Sequence, residues 1–298
     1  MQKHSYDILC IGNYTKDKII TPDMTKYVDG GAINYAAHAI KRLGFEVAVL
    51  TRLAEEDQGV VNDLEEGGID CYVDYSPFST TMILDYPTSN PDIRTLTVNS
   101  IASPISVDQV DGLQAKAAVI GPSIRGEVGL DVIKLLREKN IRVAADMQGY
   151  VRVHREGSLI YEPWPEMAET LQNLDVVKTD AVEAEFLTGE SDMYKAAATL
   201  SALGPREIVL THKDGVLVLA DGKFYENKFF TNHLIGRSGR GDTCIGSYMA
   251  FRTRTNPRSA ATWAAAVTSM KMEKLGPFDR NLSEVRPFIA EHYPDAEL

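Results

Sequence analysis

The sequence predicts an α/β fold, in which a mostly parallel central sheet lies between two layers of helices and carries a small β-sheet lid. Short apolar runs alternate along the chain with segments of helical periodicity, which is typical of a parallel sheet covered on both faces. One stretch, at about 69–107, interrupts that alternation with strand-like segments and no intervening helix. With 298 residues and 44% apolar content, the chain is long enough to bury such a core.

The first part of the chain begins with a buried strand that ends at Gly12, and a polar loop leads from there to Gly30–Gly31. Apolar residues then recur on one helical face up to Leu43, and Gly44 ends the helix. We predict, in order, a strand at 8–11, a helix at 33–43, a strand at 45–51 and a short helix from 57 to 67–68.

Residues 69–107 differ in composition from the segments around them. They are rich in Thr, Ser, Tyr, Val, Pro and Asn, and they contain alternating runs at 81–86 and 93–98, which predict strands. We expect these strands to form the lid together with residues of about 12–30. Because no linker or repeat interrupts the chain, we expect residues 1–298 to form a single domain.

The alternation of strands and helices resumes after the lid segment. The predicted strands at 207–211 and 215–220 are expected to pair as a hairpin, because only a short turn separates them. The predicted strands are at 117–120, 141–145, 174–178, 207–211 and 215–220, and the predicted helices are at 130–139, after 178, at 193–203, from 241 and from 257.

Charge and cysteine content exclude several classes of function. The formal net charge is −11 at pH 7, and an acidic surface repels phosphate backbones, so we expect no nucleic-acid and no membrane partner. Cys10, Cys71 and Cys244 are widely spaced and form no C-x-x-C motif, which argues against disulfides or a thiolate zinc site. No apolar stretch approaches about 20 residues, and the polar start is no signal peptide, so we expect a cytoplasmic protein.

The strongest local signal is the segment 236–246, GRSGRGDTCIG, in which three glycines alternate with two arginines before an apolar helix. Glycines and the first turn of a helix present N–H groups that suit a phosphate. A P-loop would continue with Lys, but here Asp242 follows. A carboxylate there can act as a base that takes the proton of an attacking hydroxyl. The alternative is a glycine-rich helix entry without catalytic function.

Several segments resemble the ribokinase-like (PfkB) family of carbohydrate and nucleoside kinases. Residues 238–243 resemble its second signature, D-T-x-G-A-G-D, and Gly30–Gly31 with Asn34 and Leu43–Gly44 resembles the first. The remaining similar segments are Gly12 with Asp17, residues 180–183 with 187–189, which resemble an N-x-x-E segment, and residues 211–215 on the nucleotide side. Each match is weak alone, but the matches follow the family order over nearly the whole chain.

The resemblance implies the ribokinase-like fold, ATP-dependent phosphorylation of a hydroxyl, and Mg²⁺. Asp242 would be the catalytic base, and the backbone of Gly239, Arg240 and Gly241 would form an anion hole for the transferred phosphoryl group. Glu183 would hold Mg²⁺ through water. The resemblance places Asp17, Gly31 and Asn34 at substrate hydroxyls, and it places Asp180, Thr211, Lys213, Gly215 and Arg237 near the nucleotide.

The sequence departs from the family pattern in both signatures, in the N-x-x-E segment and in the turn after Thr211, which lacks the usual first Gly. Gly236–Arg237 replaces the opening Asp-Thr, whose Asp often helps to hold a monovalent cation; we hypothesise that Arg237 or Arg240 supplies that charge instead. Asp180 replaces the Asn of N-x-x-E. Counting back from Leu43–Gly44 puts Tyr35, and not Asn34, at the usual Asn position.

Two segments that follow predicted strands narrow the substrate class. Residues 121–127 and 145–152 lie where α/β sheets place ligand loops. The pattern Asp-x-Gln-Gly-aromatic-x-Arg is similar to a subgroup that includes myo-inositol kinases, so Asp146, Gln148 and Arg152 could contact a polyol. The alternative is that Asp146 caps a turn and that Arg152 is a surface charge.

The sequence therefore predicts an ATP-dependent kinase of a sugar, cyclitol or nucleoside, with the lid closing over the acceptor. A non-catalytic sensor on the same fold is the first alternative, against which the retained Asp242 argues. A Rossmann-type enzyme is the second, but no G-x-G-x-x-G follows the first strand. A homodimer through the lid is possible, because exposed strands of such lids can pair.

Overall fold

A computed structural model of the chain describes residues 5–88 and 95–296, and its strands form two sheets. In this part of the chain the larger sheet has nine strands, in the order β15-β14-β13-β12-β9-β8-β1-β4-β5. All neighbours pair in parallel except at one end, where β14 pairs antiparallel with both β13 and β15. The strands are β1 Tyr6–Ile11, β4 Val47–Leu53, β5 Asp70–Tyr75, β8 Ala115–Ile120, β9 Arg142–Asp146, β12 Val176–Asp180, β13 Glu207–His212, β14 Gly215–Ala220 and β15 Lys223–Lys228.

Helices cover both faces of this sheet. They are α1 Ala32–Arg42, α2 Gly59–Glu66, α3 Val107–Asp111, α4 Leu130–Glu138, α5 Gln148–Val151, α6 Met167–Gln172, α7 Ala181–Thr188, α8 Met193–Ala202, α9 Arg240–Arg252, α10 Pro257–Met272 and α11 Leu282–His292, with a 3₁₀ turn at Glu55–Asp57. One face packs against α1, α9, α10 and α11, and the other packs against α3, α4, α6 and α8. The three-layer α/β prediction is confirmed.

The alternation of side chains in β1 shows why the sheet is buried on both faces. All six residues of β1 are buried. Ile8 and Cys10 belong to the core beneath α1, whereas Leu9 and Ile11 belong to the core on the opposite face. A strand covered on both sides is apolar throughout, because successive side chains point to opposite faces. This is the continuous apolar run that the sequence analysis identified as a buried strand.

The smaller sheet has six strands within the described ranges, in the order β10-β11-β7-β6-β2-β3. These strands are β2 Thr15–Ile20, β3 Thr25–Gly30, β6 Thr80–Asp85, β7 Thr95–Ser100, β10 Arg152–Arg155 and β11 Ser158–Tyr161. Two assignments differ from the sequence analysis. Strand β5, expected in the lid, pairs with β4 at the edge of the large sheet, and the hairpin β10–β11, not expected there, joins the small sheet.

The other predicted elements agree with the structure to within a few residues, but several observed elements were not predicted, among them α3, α5, α6 and β15. The polar segment after Gly12 contains the antiparallel strands β2 and β3, and α11 follows the helix that was expected to close the chain. The part of the predicted strand 93–98 that precedes Thr95 lies outside the described residues. A single domain and a closing motion of the small sheet stay predictions.

The topology brings the two sheets together at the carboxyl ends of the parallel strands. Strand β1 ends at Ile11, and after three intervening residues β2 begins the small sheet. Strands β9 and β12 end at Asp146 and Asp180, and α9 begins beside them at Arg240. In open α/β sheets, ligands bind at this edge.

Candidate active site

Asp242 lies in the first turn of α9, at the edge where the parallel strands end. Its carboxylate is partly buried. A helix N-terminus leaves N–H groups without intrahelical partners and carries partial positive charge. The turn therefore offers both a carboxylate and donors for an anion within a few residues.

The N–H groups around Asp242 are only partly committed to other bonds. Thr243 N–H donates to the Gly239 carbonyl at 2.9 Å, and Arg240 N–H donates to the Arg237 carbonyl at 3.2 Å. Within residues 5–88 and 95–296, the N–H groups of Gly239 and Gly241 have no backbone carbonyl as acceptor. Of the three amides assigned to an anion hole, those of Gly239 and Gly241 are thus available, whereas that of Arg240 closes a turn.

Gly239 is the N-cap of α9 and has φ of +74°, a conformation that favours glycine. A Cβ at this position would lie 2.1 Å from ring atoms of Tyr35 on α1. The loop therefore passes directly against Tyr35, the residue that the alternative count placed at the family's Asn position. Tyr35 thus contacts the loop of residues 235–241, hereafter the anion loop, a contact that the sequence analysis did not assign.

A buried ion pair lies beneath the first turn of α9. Lys178 Nζ is 2.8 Å from Asp146 Oδ2, and both side chains are at most 5% exposed. A Cβ on Gly241 would lie 2.4 Å from Lys178 Nζ, so a larger residue there would have to displace the ammonium. Burial alone would lower the pKa of Lys178, but Asp146, Glu183 and Asp242 together raise it above its ordinary value.

This charge cluster sets the protonation of Asp242. Burial and the neighbouring carboxylate of Asp146 raise the pKa of Asp242 to about 6, against the opposing attraction of Lys178, Lys271 and Arg152. A base with a pKa slightly below neutral is ionised at physiological pH and still accepts a proton readily. The environment therefore suits Asp242 to general base catalysis.

Asp180 and Glu183 hold each other at the start of α7. Asp180 N–H donates to Glu183 Oε2 at 2.9 Å, and Glu183 N–H donates to Asp180 Oδ1 at 2.8 Å, which is a capping box. Burial raises the pKa of Glu183, whereas Lys178 lowers it. One oxygen of each carboxylate stays outside the capping box and can accept from the water shell of Mg²⁺, a cation that usually keeps several waters.

Direct binding of a metal ion by several protein side chains differs from binding through water. Among the residues that the structure describes, no group of three or more His, Cys, Asp or Glu side chains could hold a metal ion. The carboxylate oxygens of Asp180 and Glu183 that lie outside the capping box fit Mg²⁺ bound through water.

The residues expected at the substrate lie where β2, β3 and the start of α1 meet. A Cβ on Gly30 would lie 2.5 Å from Asp17 Oδ2, so the Asp17 carboxylate lies over the glycine pair. Gly31 has φ of +90°, and a Cβ there would lie 2.9 Å from the Asn13 carbonyl. Asn34 is buried, and its Nδ2 donates to the Asp29 carbonyl at 3.0 Å. Asp17 and Gly31 thus border one site, whereas the Asn34 amide supports the backbone of β3.

The segment 146–152 has mixed roles. Asp146 Oδ1 accepts from Gln148 N–H at 3.1 Å while Oδ2 pairs with Lys178, so its carboxylate is used within the protein. Arg152 is half-buried at the start of β10, and its charge lowers the pKa of both Asp242 and Glu183. Arg152 is therefore close enough to the charge cluster to act on both carboxylates.

Glu127, which was given no role in the sequence analysis, joins two loops at the same edge. Its carboxylate accepts from Asn13 N–H at 2.5 Å and from Ser123 N–H at 2.9 Å. Burial raises the pKa of Glu127 to about 7, although these N–H donors lower it. The contact fixes the loop between β1 and the small sheet.

The residues expected near the nucleotide divide into two groups. Thr211 is buried in β13, with its hydroxyl 3.4 Å from the Thr179 carbonyl, and Gly215 is packed against the Asn227 carbonyl of β15. Lys213 is exposed in the turn between them. Arg237 is exposed, whereas Arg240 is half-buried beside Asp180 and Glu183. The arginines belong to the anion loop, whereas the hairpin residues do not.

None of the helices in the described ranges combines the length and apolar character that crossing a bilayer would require.

Comparisons with known proteins agree with this geometry. The family model described as pfkB family carbohydrate kinase matches residues 5–280. A pyrophosphate-dependent kinase in the ribokinase family, complexed with a pyrophosphate analog and myo-inositol, is 32% identical with a TM-score of 0.86, covering 94% of this chain and 99% of that chain. The sulfate complex of a pyrophosphate-dependent kinase in the ribokinase family is 34% identical with a TM-score of 0.87, covering 95% of this chain and 100% of that chain.

More distant structures share the fold. Arabidopsis thaliana ribokinase complexed with ribose and ATP is 15% identical, with a TM-score of 0.77 and coverage of 96% of this chain and 99% of that chain. No curated protein matches the sequence. The family model covers most of the chain, and its proteins are kinases that act on hydroxyl groups. The resemblance found in the sequence is confirmed, and the chain belongs to the pfkB carbohydrate kinase family.

Proposed function

We propose that the protein transfers a phosphoryl group to a hydroxyl of a cyclitol of the myo-inositol type, with Asp242 as the general base. The observation that carries this proposal is the position of Asp242. Its carboxylate lies at the N-terminus of α9, beside the available N–H groups of Gly239 and Gly241 and above the buried Lys178–Asp146 pair. That arrangement supplies a base and an anion site within one helical turn.

The proposed reaction follows from these groups. Asp242 accepts the proton of the acceptor hydroxyl as its oxygen attacks the terminal phosphorus of the donor in line. The new O–P bond forms while the bridging P–O bond breaks, and its electron pair leaves on the remaining donor phosphate. The Gly239 and Gly241 N–H groups and the N-terminus of α9 stabilise the charge on the transferred group.

The acceptor class rests on two lines of support. The segment 146–152 resembles the subgroup that includes myo-inositol kinases, and a 32% identical structure carries myo-inositol. Asp17 and Gly31 border the acceptor side of the site, and Arg152 is close to the charge cluster. Carboxylate and guanidinium groups at different sides of a pocket can hydrogen-bond several hydroxyls of one ring.

The sequence resemblance predicts ATP as donor, but we propose pyrophosphate in its place, with ATP as the alternative. The 32–34% identical structures are of pyrophosphate-dependent kinases, whereas the ATP complex is 15% identical. Pyrophosphate is compact and highly charged, so its binding depends on nearby cations. Arg237 and Arg240 belong to the anion loop, and guanidinium groups can hold phosphate oxygens bidentately.

Mg²⁺ would be held through water by Asp180 and Glu183, and it would neutralise charge on the donor phosphates. The carboxylate oxygens left outside the capping box support this assignment. A cytoplasmic location and a homodimer through the lid stay predictions.

The experiment is a matrix of acceptors and donors. The purified protein is incubated with myo-inositol, other inositols, pentoses, hexoses or nucleosides, each with pyrophosphate or ATP and Mg²⁺, and products are followed by ³¹P NMR. We expect a phosphate ester with myo-inositol and pyrophosphate. Turnover only with ATP would show that the donor is ATP and not pyrophosphate. Turnover only with a sugar or nucleoside would show that the acceptor is not a cyclitol. Binding without turnover of any pair would favour the sensor.

The raised pKa of Asp242 predicts a particular pH dependence. Because the base works as the carboxylate, kcat/KM is expected to fall about tenfold per pH unit below about pH 6 and to level off above it. An exposed aspartate would place this limb near pH 4. Initial rates at saturating donor, from pH 4.5 to 8.5, measure the limb. A flat profile down to pH 4.5 would contradict the assigned environment of Asp242.

A further inference from the structure

Lys271, in the last turn of α10, sends its ammonium group into the anion loop. Its Nζ donates to the Gly236 carbonyl at 3.0 Å and also to the Ser238 carbonyl. The residue is 2% exposed, and Nζ lies 5.2 Å from the centre of the Tyr35 ring. Lys271 therefore contacts the loop and the aromatic side chain that packs against Gly239.

The same end of α10 holds the loop through its backbone. The N–H groups of Ile235 and Gly236 both donate to the Met272 carbonyl at 3.0 Å. A Cβ on Gly236 would lie 1.9 Å from the Lys274 carbonyl, so the loop is packed directly against the helix end. Lys271 holds the carbonyls of the loop, and Met272 holds its amides.

The geometry of the peptide bond determines the direction of the Gly239 N–H group. A trans peptide is planar, and its carbonyl and N–H point in opposite directions. The Ser238 carbonyl and the Gly239 N–H belong to one peptide unit. Because Lys271 holds that carbonyl, the Gly239 N–H must point away from α10, on the side opposite the ammonium.

Burial of the Lys271 ammonium group costs free energy. A buried ammonium loses its hydration, and in this part of the structure carbonyl oxygens are its hydrogen-bond partners. Burial lowers the pKa of Lys271 to about 8, although the Asp242 carboxylate opposes that shift. A methionine or leucine would fill the same space without this cost, so packing alone does not explain a lysine.

We propose that Lys271 is a positioning residue that acts as an internal cation for the anion loop, fixing the Gly239 peptide so that its N–H faces the transferred phosphoryl group. This proposal rests on the proposed function for its catalytic consequence. It is an alternative to the hypothesis that Arg237 or Arg240 supplies the missing charge, since the Lys271 ammonium contacts the Gly236 and Ser238 carbonyls. Turnover is accordingly expected without an added monovalent cation.

The first test compares Lys271→Met with Lys274→Met. Lys274 lies three residues further on, and its exposed side chain pairs with Asp279. We expect Lys271→Met to lower kcat roughly 10²-fold or more, as for loss of an oxyanion donor, with a smaller change in the KM of the acceptor. Lys274→Met should keep wild-type kcat. Equal kcat in Lys271→Met and the wild type would overturn the proposal.

The second test restores the cation from solution. Lys271→Ala leaves room for a small cation, so ammonium, ethylammonium or potassium chloride is expected to recover at least tenfold in kcat, whereas choline chloride should not. The wild type and Lys274→Met should not respond. A wild type that depends strongly on potassium, or an Ala variant that none of the three cations rescues, would contradict an internal cation.

A measurement without turnover separates this proposal from the proposed function. Amide hydrogen exchange of a peptide covering 236–243 is expected to be faster in Lys271→Met and Lys271→Ala than in the wild type, and ethylammonium should slow it in the Ala variant. If no donor and acceptor pair is turned over by the wild type, the proposed function fails while this comparison still decides the role of Lys271. Unchanged exchange would refute the role.

Discussion

Asp242→Asn is expected to lower kcat by roughly 10²–10⁴-fold, the contribution typical of a positioned general base. The substitution keeps the size and hydrogen-bonding shape of the side chain but removes its ability to accept the hydroxyl proton. Because the donor is held mainly by the loop amides and the arginines, the KM of the donor should change little. The acid limb near pH 6 should also disappear from the residual activity. Steady-state kinetics with the best donor and acceptor pair measure all three effects.

The matched control for this variant is Asp108→Asn. Asp108 is an exposed aspartate in the first turn of α3, so the same change is made in the first turn of another helix, outside the anion loop and the buried charge cluster. It should keep full activity. An Asp242→Asn protein that turns over at the wild-type rate would exclude the base assignment.

Lys178→Met is expected to cause the largest loss of stability, about 3–5 kcal/mol, the range typical of breaking a buried ion pair from one side. The ammonium lies among Asp146, Glu183 and Asp242, and its removal leaves these carboxylates near one another without their shared cation. They would then be ionised together only at high cost. The free energy of unfolding, from urea denaturation at pH 7, measures the loss.

Two further variants control the Lys178 experiment. Lys134→Met breaks an exposed pair with Glu169, for which we expect a loss below about 1 kcal/mol. The double variant Lys178→Met with Asp146→Leu removes both members of the buried pair and should regain part of the stability. If Lys178→Met were no less stable than Lys134→Met, the buried cluster could not have the electrostatic role assigned to it.

The fold could be predicted in large part from the sequence because its central strands are buried on both faces. The run that became β1 is apolar throughout, and the helices of α1 and α4 carry clear apolar faces. The small sheet was harder to predict. Strand β2 reads TKDKII and β3 reads TKYVDG, and both are half-exposed. Their strand character comes from pairing, because β2 pairs with β3 and β6, and β3 pairs with β2. Edge pairing of this kind leaves little signal in local composition.

The candidate site, like the fold, could be predicted only in part from local sequence. Asp242 and its glycines could be identified because their spacing is local and their chemistry is specific. Lys178 and Lys271 could not be assigned, because each becomes part of the site only through contacts across the fold. A signal did exist in the sequence. Each is a single lysine within an apolar run, VVKTD in one strand and SMKM in one helix, and a buried charge of this kind usually has a specific partner.

The central claim, that the α9 turn holds the migrating phosphoryl group beside Asp242, is tested most directly by a crystal structure with myo-inositol and methylenediphosphonate, an unreactive pyrophosphate analogue. We predict that one acceptor hydroxyl lies within about 3 Å of the Asp242 carboxylate. We also predict that the nearer phosphonate group accepts hydrogen bonds from the N–H groups of Gly239 and Gly241. A diphosphonate bound away from residues 239–242, or an Asp242 carboxylate turned away from every hydroxyl of the acceptor, would contradict the assignment.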